Sequence, residues 1–379
     1  MTAVVTSGAE CVGVVGPFAV GNPWWAEVAP VTEHLRAVLG VPAYVLRLIG
    51  VEYGEGARDG HVTYHVEAPG AAVALPPAQA PTDRHELRTR WATAAGLRDL
   101  FCWARDALAT AGRPVTGPVE QHKTWNLAGL FRLPTATGPV WLKTTPHFAA
   151  DEPRVIAAFA AVDPNLVPPV LAAGERRMLL ANLPGQDCWH PDEATISSAI
   201  PRFVAAQSAL DTPPPWLRDG RTPADDVRAL LDRDLGLDPD EVAGAIALLP
   251  RWTEVADCGL PDTIVHGDFH SGNWRADDGP PVVLDFADAH FGNPVLDGLR
   301  VADFLAEPRK PVARRVWVEA WRSVRPDSDP ARALAVAEPL AHLAYAVRYQ
   351  EFLDGIEPSE RIYHLGDPAS SVRAALHCA

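Results

Sequence analysis

Long apolar runs are missing from this sequence, and none approaches the roughly 20 residues needed to span a bilayer. Residues 1–15 are apolar and glycine-containing but lack the basic residues that open a signal peptide. No membrane partner is therefore expected, and a cytoplasmic location is. Cysteine is sparse. The five (Cys11, Cys102, Cys188, Cys258 and Cys378) are scattered, odd in number and without metal-ligand spacing. Such thiols are expected to be reduced, as in a cytosolic protein. Lysine is scarcer, with only Lys123, Lys143 and Lys310 against thirty arginines, so each lysine draws attention. The net charge of −15 argues against nucleic acid or an anionic membrane surface as partner and suits cationic ligands. Internal repeats and low-complexity segments are absent as well.

What is present is a 379-residue chain with 47% hydrophobic and 21% charged residues, long enough for two or three domains. One stretch organises it. Thr263 to Val265 is an apolar run that leads into His266-Gly267-Asp268, and Asn273 follows Asp268 by five residues. After a polar turn, Val282 to Leu284 forms a second apolar run ending on Asp285. Strand, loop and strand would bring Asp268, Asn273 and Asp285 to one mouth. A carboxylate that takes a hydroxyl proton, with an amide and a second carboxylate to hold Mg²⁺, is what phosphoryl transfer requires. The spacing fits the kinase catalytic loop H-x-D-x-x-x-x-N, with Asp285-Phe286 standing where D-F-G would.

The full constellation, His-Gly-Asp-x-His-x-x-Asn followed by Asp285-Phe286, Gly292, Pro294 and Asp297, resembles the aminoglycoside phosphotransferase and choline kinase family. The resemblance covers residues 116–355. It implies an α+β, protein-kinase-like two-lobed fold, with an antiparallel β N-lobe and a mostly helical C-lobe. It also implies ATP and Mg²⁺ as cofactors. Asp268 is then the base, Asn273 and Asp285 the metal ligands, His266 a support of the loop from within, and Asp297 the buried aspartate that holds the loop. Val140-Trp141-Leu142-Lys143 resembles the third kinase strand, whose lysine meets the nucleotide phosphates. Glu152, at the start of a helix with Pro153 at its favoured first position, is the candidate that orients Lys143. G-x-G-x-x-G is absent. Lys123-Thr124-Trp125-Asn126 takes its place, with Thr124 and Asn126 as candidate phosphate-loop contacts. Residues 177–185 resemble the hinge, where backbone groups from Ala181 to Leu183 would bond an adenine edge.

Around this site the chain reads as three parts. Residues 1–115 are expected to be an accessory α+β unit, with a helix over 23–39, strands over 43–53 and 61–68, and a long helix over 84–110 capped by Thr82 or Asp83. Residues 116–184 form the N-lobe and hinge, with strands over 116–121, 127–133 and 138–143, and residues 185–379 form the helical C-lobe. Helices are expected over 192–210, 223–235, 239–256, 311–323 and 330–353.

The expected function is ATP-dependent phosphorylation of a small-molecule hydroxyl. Acidic residues between the hinge and the catalytic loop (Asp219, Asp225, Asp226, Asp232, Asp234, Asp238, Asp240, Glu241), with Asp354, Glu357 and Glu360 after the last long helix, favour a cationic acceptor. That would be an aminoglycoside or another amine-bearing natural product, and the role antibiotic modification or resistance. The alternatives are a metabolic sugar, amino-sugar or nucleoside kinase, and a catalytically silent pseudokinase. Against the last stand Lys143, Asp268, Asn273 and Asp285, all present.

Overall fold

The structure, a computed structural model, describes residues 1–81, 84–125, 128–221 and 223–379, of Trp125 the backbone only. The expected caps Thr82 and Asp83 and the expected phosphate-loop residue Asn126 lie outside the described residues. The chain divides into two compact units. The first comprises Met1–Phe148, Val170–Asn182 and Phe352–Leu365; the second comprises Ala149–Pro169, Leu183–Glu351 and Gly366–Ala379.

In the first unit, β1 (Thr2–Ser7), β2 (Glu10–Val15), β3 (Tyr44–Glu52) and β4 (His61–Glu67) form a four-stranded sheet in the order β2-β1-β4-β3. β1 and β4 run parallel and the other pairs antiparallel. Helix α1 (Ala29–Leu39) buries Val31, Leu35 and Leu39, one residue per turn, against Val5, Val62, Tyr64 and Val66. It starts six residues later than expected because Trp24 to Glu27 form a turn, Glu27 N–H bonding Trp24 O (3.3 Å), before the helix begins. Trp25 is buried, donates its indole N–H to the Asp59 carbonyl (2.8 Å), and accepts at its own carbonyl from the Tyr64 hydroxyl (2.7 Å). β1 and β2 were not anticipated.

The second sheet of this unit is antiparallel, in the order β5-β6-β7-β9-β8: β5 (Glu120–Trp125), β6 (Ala128–Leu133), β7 (Val140–Thr144), β8 (Val170–Gly174) and β9 (Arg177–Ala181). Helix α2 (Ala94–Thr110) covers it, packing Leu97, Phe101, Ala104 and Leu108 with Phe131, Leu133, Leu142 and Leu179. The helix begins at Ala94 rather than 84 because Thr93 caps it, its hydroxyl accepting from Gly96 N–H (3.1 Å). β5 runs on from the strand expected over 116–121 through residues 122–125, which were expected to be a loop. Its outer edge is covered by residues 26–28 through Val28 N–H to His122 O (3.0 Å) and Thr124 N–H to Ala26 O (2.9 Å). The two sheets are tied by Gln121, whose side chain accepts from Val45 N–H (2.7 Å) and donates to Val45 O (2.8 Å). Residues 1–115 thus share one compact unit with the five-stranded sheet.

The second unit is mostly helical: α3 (Glu152–Val162), α4 (Glu193–Ser208), α5 (Pro223–Leu231), α6 (Pro239–Leu248), α7 (Arg251–Ala256), α8 (Val295–Asp303), α9 (Lys310–Val324), α10 (Pro330–Gly355, its last turn in the first unit) and α11 (Asp367–His377). Pro250 divides the helix expected over 239–256 into α6 and α7. Short strands carry the loops. β11 (Thr263–Val265) pairs with β14 (His290–Gly292), while β10 (Gln186–Asp187), β12 (Trp274–Ala276) and β13 (Val282–Val283) form a small sheet. The mixed α+β architecture, antiparallel sheets followed by helices, is protein-kinase-like.

One ion cluster locks residues 352–365 into the first unit. Buried Glu357 accepts from Arg47 Nη1 (2.8 Å) and Arg88 Nη2 (2.6 Å), and nearby Glu360 accepts from Leu48 N–H (2.7 Å). Removing one partner of a buried ion pair leaves charge without compensation. Glu357→Ala is therefore expected to lose about 3 kcal/mol of stability or more, read as a lower denaturant midpoint of the full chain. Glu357→Gln should lose less.

Candidate active site

β11 delivers the chain into His266-Gly267-Asp268 at the face where α8 begins. Asp297, in the first turn of α8 and fully buried, takes three hydrogen bonds. Its Oδ2 accepts from His266 N–H (2.8 Å) and Gln207 Nε2 (2.8 Å), and its Oδ1 from Gly267 N–H (3.0 Å). Burial pushes this carboxyl above the usual range against the pull of those donors. Gly267 has a φ of +83°, and a Cβ there would lie 2.3 Å from the Asp288 carbonyl oxygen, so the turn requires glycine. The His266 ring accepts from Asp268 N–H at Nδ1 (3.2 Å) and donates from Nε2 to Leu284 O (2.9 Å). Those roles fit a neutral ring with its proton on Nε2, joining the loop after β11 to Leu284, between β13 and Asp285.

At the centre, Asp268 is held at both carboxylate oxygens. Oδ1 accepts from Arg300 Nε (2.7 Å). Oδ2 accepts from Asn273 Nδ2 (3.2 Å) and lies 3.4 Å from His270 Nε2. His270 accepts Gly272 N–H at Nδ1 (3.0 Å), which leaves its proton on the nitrogen facing Asp268. Burial would raise the Asp268 carboxyl, but the His270 hydrogen bond and the Arg300 charge together hold it well below the usual carboxylate range.

Asn273 ends a short 3₁₀ turn, and its amide N–H also reaches Asp268 O (2.9 Å). With the nitrogen committed, the amide oxygen is the donor left for a cation. Leu284 N–H bonds Asn273 O (2.8 Å), which sets exposed Asp285 on the neighbouring segment. Asp285 has a φ of +63°, uncommon for a residue with a side chain. An amide oxygen and a carboxylate are hard oxygen donors of the kind Mg²⁺ takes alongside phosphate oxygens and water. The residues present fit that ion.

The remaining sequence candidates fall in several places. Glu152, the first residue of α3, is buried and accepts from Phe286 N–H (3.0 Å), which anchors the segment just after Asp285. Lys143 lies in β7 opposite Leu130 and Met178 and is 9% exposed. Thr124 departs from expectation. Its side chain is 1% exposed and its hydroxyl has no partner among the described residues, so it is turned into the sheet, not offered to a phosphate. Lys123 pairs with Glu27 (2.8 Å). Ala181 closes β9 opposite Val140, and the Leu183 carbonyl already accepts from Arg275 Nε (3.0 Å).

The acidic residues read as acceptor contacts are mostly engaged elsewhere. Asp219 pairs with Arg221 (2.6 Å) and Asp225 with Arg228 (3.0 Å). Asp234 accepts from Gly236 N–H (3.2 Å), Asp238 and Glu241 form the capping box of α6, and Glu241 also pairs with Arg373 (2.7 Å). Glu357 and Glu360 are spent inside the first unit, as described above.

Sequence reading missed Arg300 and the arginines around Asp288. Arg348 donates to Asp288 Oδ1 from Nε (3.0 Å) and pairs with Glu351 (2.6 Å), which also takes Arg218 (2.7 Å). The one available signal was the spacing Asp297, Arg300, Asp303 on a single helix face. Trp189 was missed too. It is 47% exposed, rests on Gly272, and lies 5.4 Å from the His270 ring.

The sequence model of the phosphotransferase enzyme family matches residues 130–335. No protein of curated function matches the chain in sequence. Among solved structures, a candidate fructosamine-3-kinase from Thermobifida fusca aligns with a TM-score of 0.53 at 20% identity, over 72% of this chain and 97% of its own. A choline/ethanolamine kinase family protein from Mesorhizobium loti aligns with a TM-score of 0.51 at 18% identity, over 74% and 100%. A candidate aminoglycoside phosphotransferase from Ralstonia eutropha aligns with a TM-score of 0.51 at 16% identity, over 74% and 97%. At these identities the likeness is one of fold.

Two outcomes follow from the geometry. Asp297→Ala strands three buried donors, so it should lower stability by about 2–4 kcal/mol and turnover with it, measured by chemical unfolding and initial rates. His290, beside Arg218 and Arg348, is driven down to about 3 by burial first and those charges second. A depressed histidine contributes stability that is complete above its unfolded value near 6.5 and is lost as pH falls toward 3. Unfolding free energy should therefore decline below pH about 6.5 by up to about 1.4 kcal/mol per pH unit. His290→Gln should flatten that decline.

Proposed function

Since the chain belongs to the phosphotransferase enzyme family, we propose that it moves the γ-phosphate of ATP to a hydroxyl of a small molecule, with Asp268 receiving the acceptor's proton. The observation that carries this reading is the 3.2 Å bond from Asn273 Nδ2 to Asp268 Oδ2, which fixes the candidate base against a candidate metal ligand. Asn273 and Asp285 would hold Mg²⁺, which when bound neutralises charge on the phosphate oxygens. Lys143, buried in β7, is the candidate contact to the nucleotide phosphates. Asp268 orients the hydroxyl and takes up its proton late, as suits a loose phosphoryl-transfer transition state and a carboxylate of low basicity. The silent pseudokinase is disfavoured because Lys143, Asp268, Asn273 and Asp285 are all in place.

The acceptor we favour is a neutral hydroxylated compound, a sugar or a nucleoside. The amine-bearing acceptor, and with it antibiotic modification, rested on carboxylates that now serve as helix caps and ion pairs. Transfer from γ-labelled ATP to matched pairs, such as glucose with glucosamine and a nucleoside with its amino-sugar analogue, tests this choice. A clear preference for the amines across both pairs would overturn it.

Asp268→Ala is expected to lower turnover at least about a hundredfold while Mg·ATP still binds. Asp285→Ala should weaken Mg²⁺-dependent nucleotide binding as well. Lys143→Ala should raise KM for ATP or lower kcat, by about tenfold or more in kcat/KM. Initial-rate kinetics and calorimetric titration with Mg·ATP check all three, and wild-type kinetics in Asp268→Ala would sink the assignment.

A further inference from the structure

The arginine on the candidate base is not accounted for by the reaction as described. Arg300 lies on α8, one turn beyond the aspartate that holds the catalytic loop, and its Nε donates to Asp268 Oδ1 (2.7 Å). The guanidinium is itself confined. Its Nη1 donates to Asp303 Oδ2 (3.0 Å), its carbon lies 4.7 Å from the Phe304 ring centre and 5.1 Å from that of Tyr345, and its side chain is 16% exposed. A planar cation bound by two carboxylates and lying over two rings does not swing freely. Arg300 therefore fixes Asp268 at Oδ1, while Oδ2 stays on the side of Asn273 and His270, against the candidate metal ligand.

We propose that Arg300 is a positioning residue for the transfer reaction: by holding Oδ1 it fixes the rotation of the Asp268 carboxylate and keeps Oδ2 against Asn273, and it fills the place at Oδ1 that a cationic group of the acceptor would otherwise take. The proposal rests on the phosphotransferase reading, in which Asp268 meets the hydroxyl. An unrestrained carboxylate rotates about its Cβ–Cγ bond, and a reacting group held loosely loses rate without losing nucleotide affinity. A merely structural arginine, stacked on Tyr345 of α10, would instead disturb folding and nucleotide binding together.

The test uses the full chain with Mg·ATP and water as the acceptor, so that no unidentified ligand is needed. Arg300→Ala is expected to lower kcat for ATP hydrolysis about ten- to a hundredfold, with KM for ATP within about twofold of wild type. Added guanidinium ion should restore part of the rate in Arg300→Ala and none in Asp268→Ala, and Arg300→Lys should fall between. If Arg300→Ala does not fold, Arg300→Met, which keeps the apolar stem and donates no hydrogen bond, is read in the same way, with thermal unfolding run alongside. An unchanged kcat overturns the inference, and so does a fall in kcat matched by a rise in KM with no response to guanidinium. The two readings fail differently. Wild-type protein that hydrolyses ATP, with Asp268→Ala inactive and the Arg300 variants unimpaired, removes Arg300 alone. Wild-type protein without Mg²⁺-dependent hydrolysis or transfer removes the phosphotransferase reading and this inference with it.

Discussion

A single buried carboxylate sets the active loop. Asp297 has no solvent to satisfy it, so it takes its hydrogen bonds from the backbone of His266 and Gly267 and from Gln207. An unmet acceptor at such depth costs more than a made bond returns, which leaves the loop little choice of conformation. From that anchor the rest follows in sequence. Gly267 turns where a side chain would strike Asp288, the His266 ring spans from Asp268 N–H to Leu284 O, and Asn273 and Asp285 come to adjacent segments. Glu152 does a similar service from α3, bonding the backbone of Phe286 on the far side of Asp285.

How much of this was legible depends on the distance over which each part is encoded. The stretch from Thr263 to Asp285 is local. The two apolar runs mark β11 and β13, and Asp268, Asn273 and Asp285 lie in the segments after them; the conformation of the first loop is set by the more distant Asp297. Helices announced by proline and an apolar stripe, such as α3 and α9, were legible for the same reason. What escaped is long-range. Arg300 meets Asp268 across 32 positions, and Glu357 meets Arg47 across 310. Neither approach leaves a periodic trace. β1 and β2 escaped because a short apolar stretch with glycines carries no clear period, and Gln121, bonding Val45, ties together parts that a sequence-based boundary at 115 separates.

Charge count misled where charge placement decides. An excess of acid suggested a cleft for cations, yet most of those carboxylates start helices, pair with arginine on the same or a neighbouring element, or lie buried in ion clusters. Thirty arginines among so few lysines provide many forked partners for them. Around the candidate base itself, Asp268, Asp303, Asp288 and Glu351 alternate with Arg300, Arg348 and Arg218, so local charge is close to balanced despite the overall −15.

The short rail formed by residues 26–28 along β5 bears on how this chain could be cut down. An edge strand with open N–H and C=O groups is a template for pairing with other chains. Here the outer edge of β5 is met by the backbone of Ala26 and Val28, and by Glu27 paired with Lys123. A fragment lacking residues 1–100 would bare that edge and the apolar face that Tyr44 and Leu46 help to cover. Residues 26–28 thus cover an edge of this sheet, and Tyr44 and Leu46 part of its apolar face.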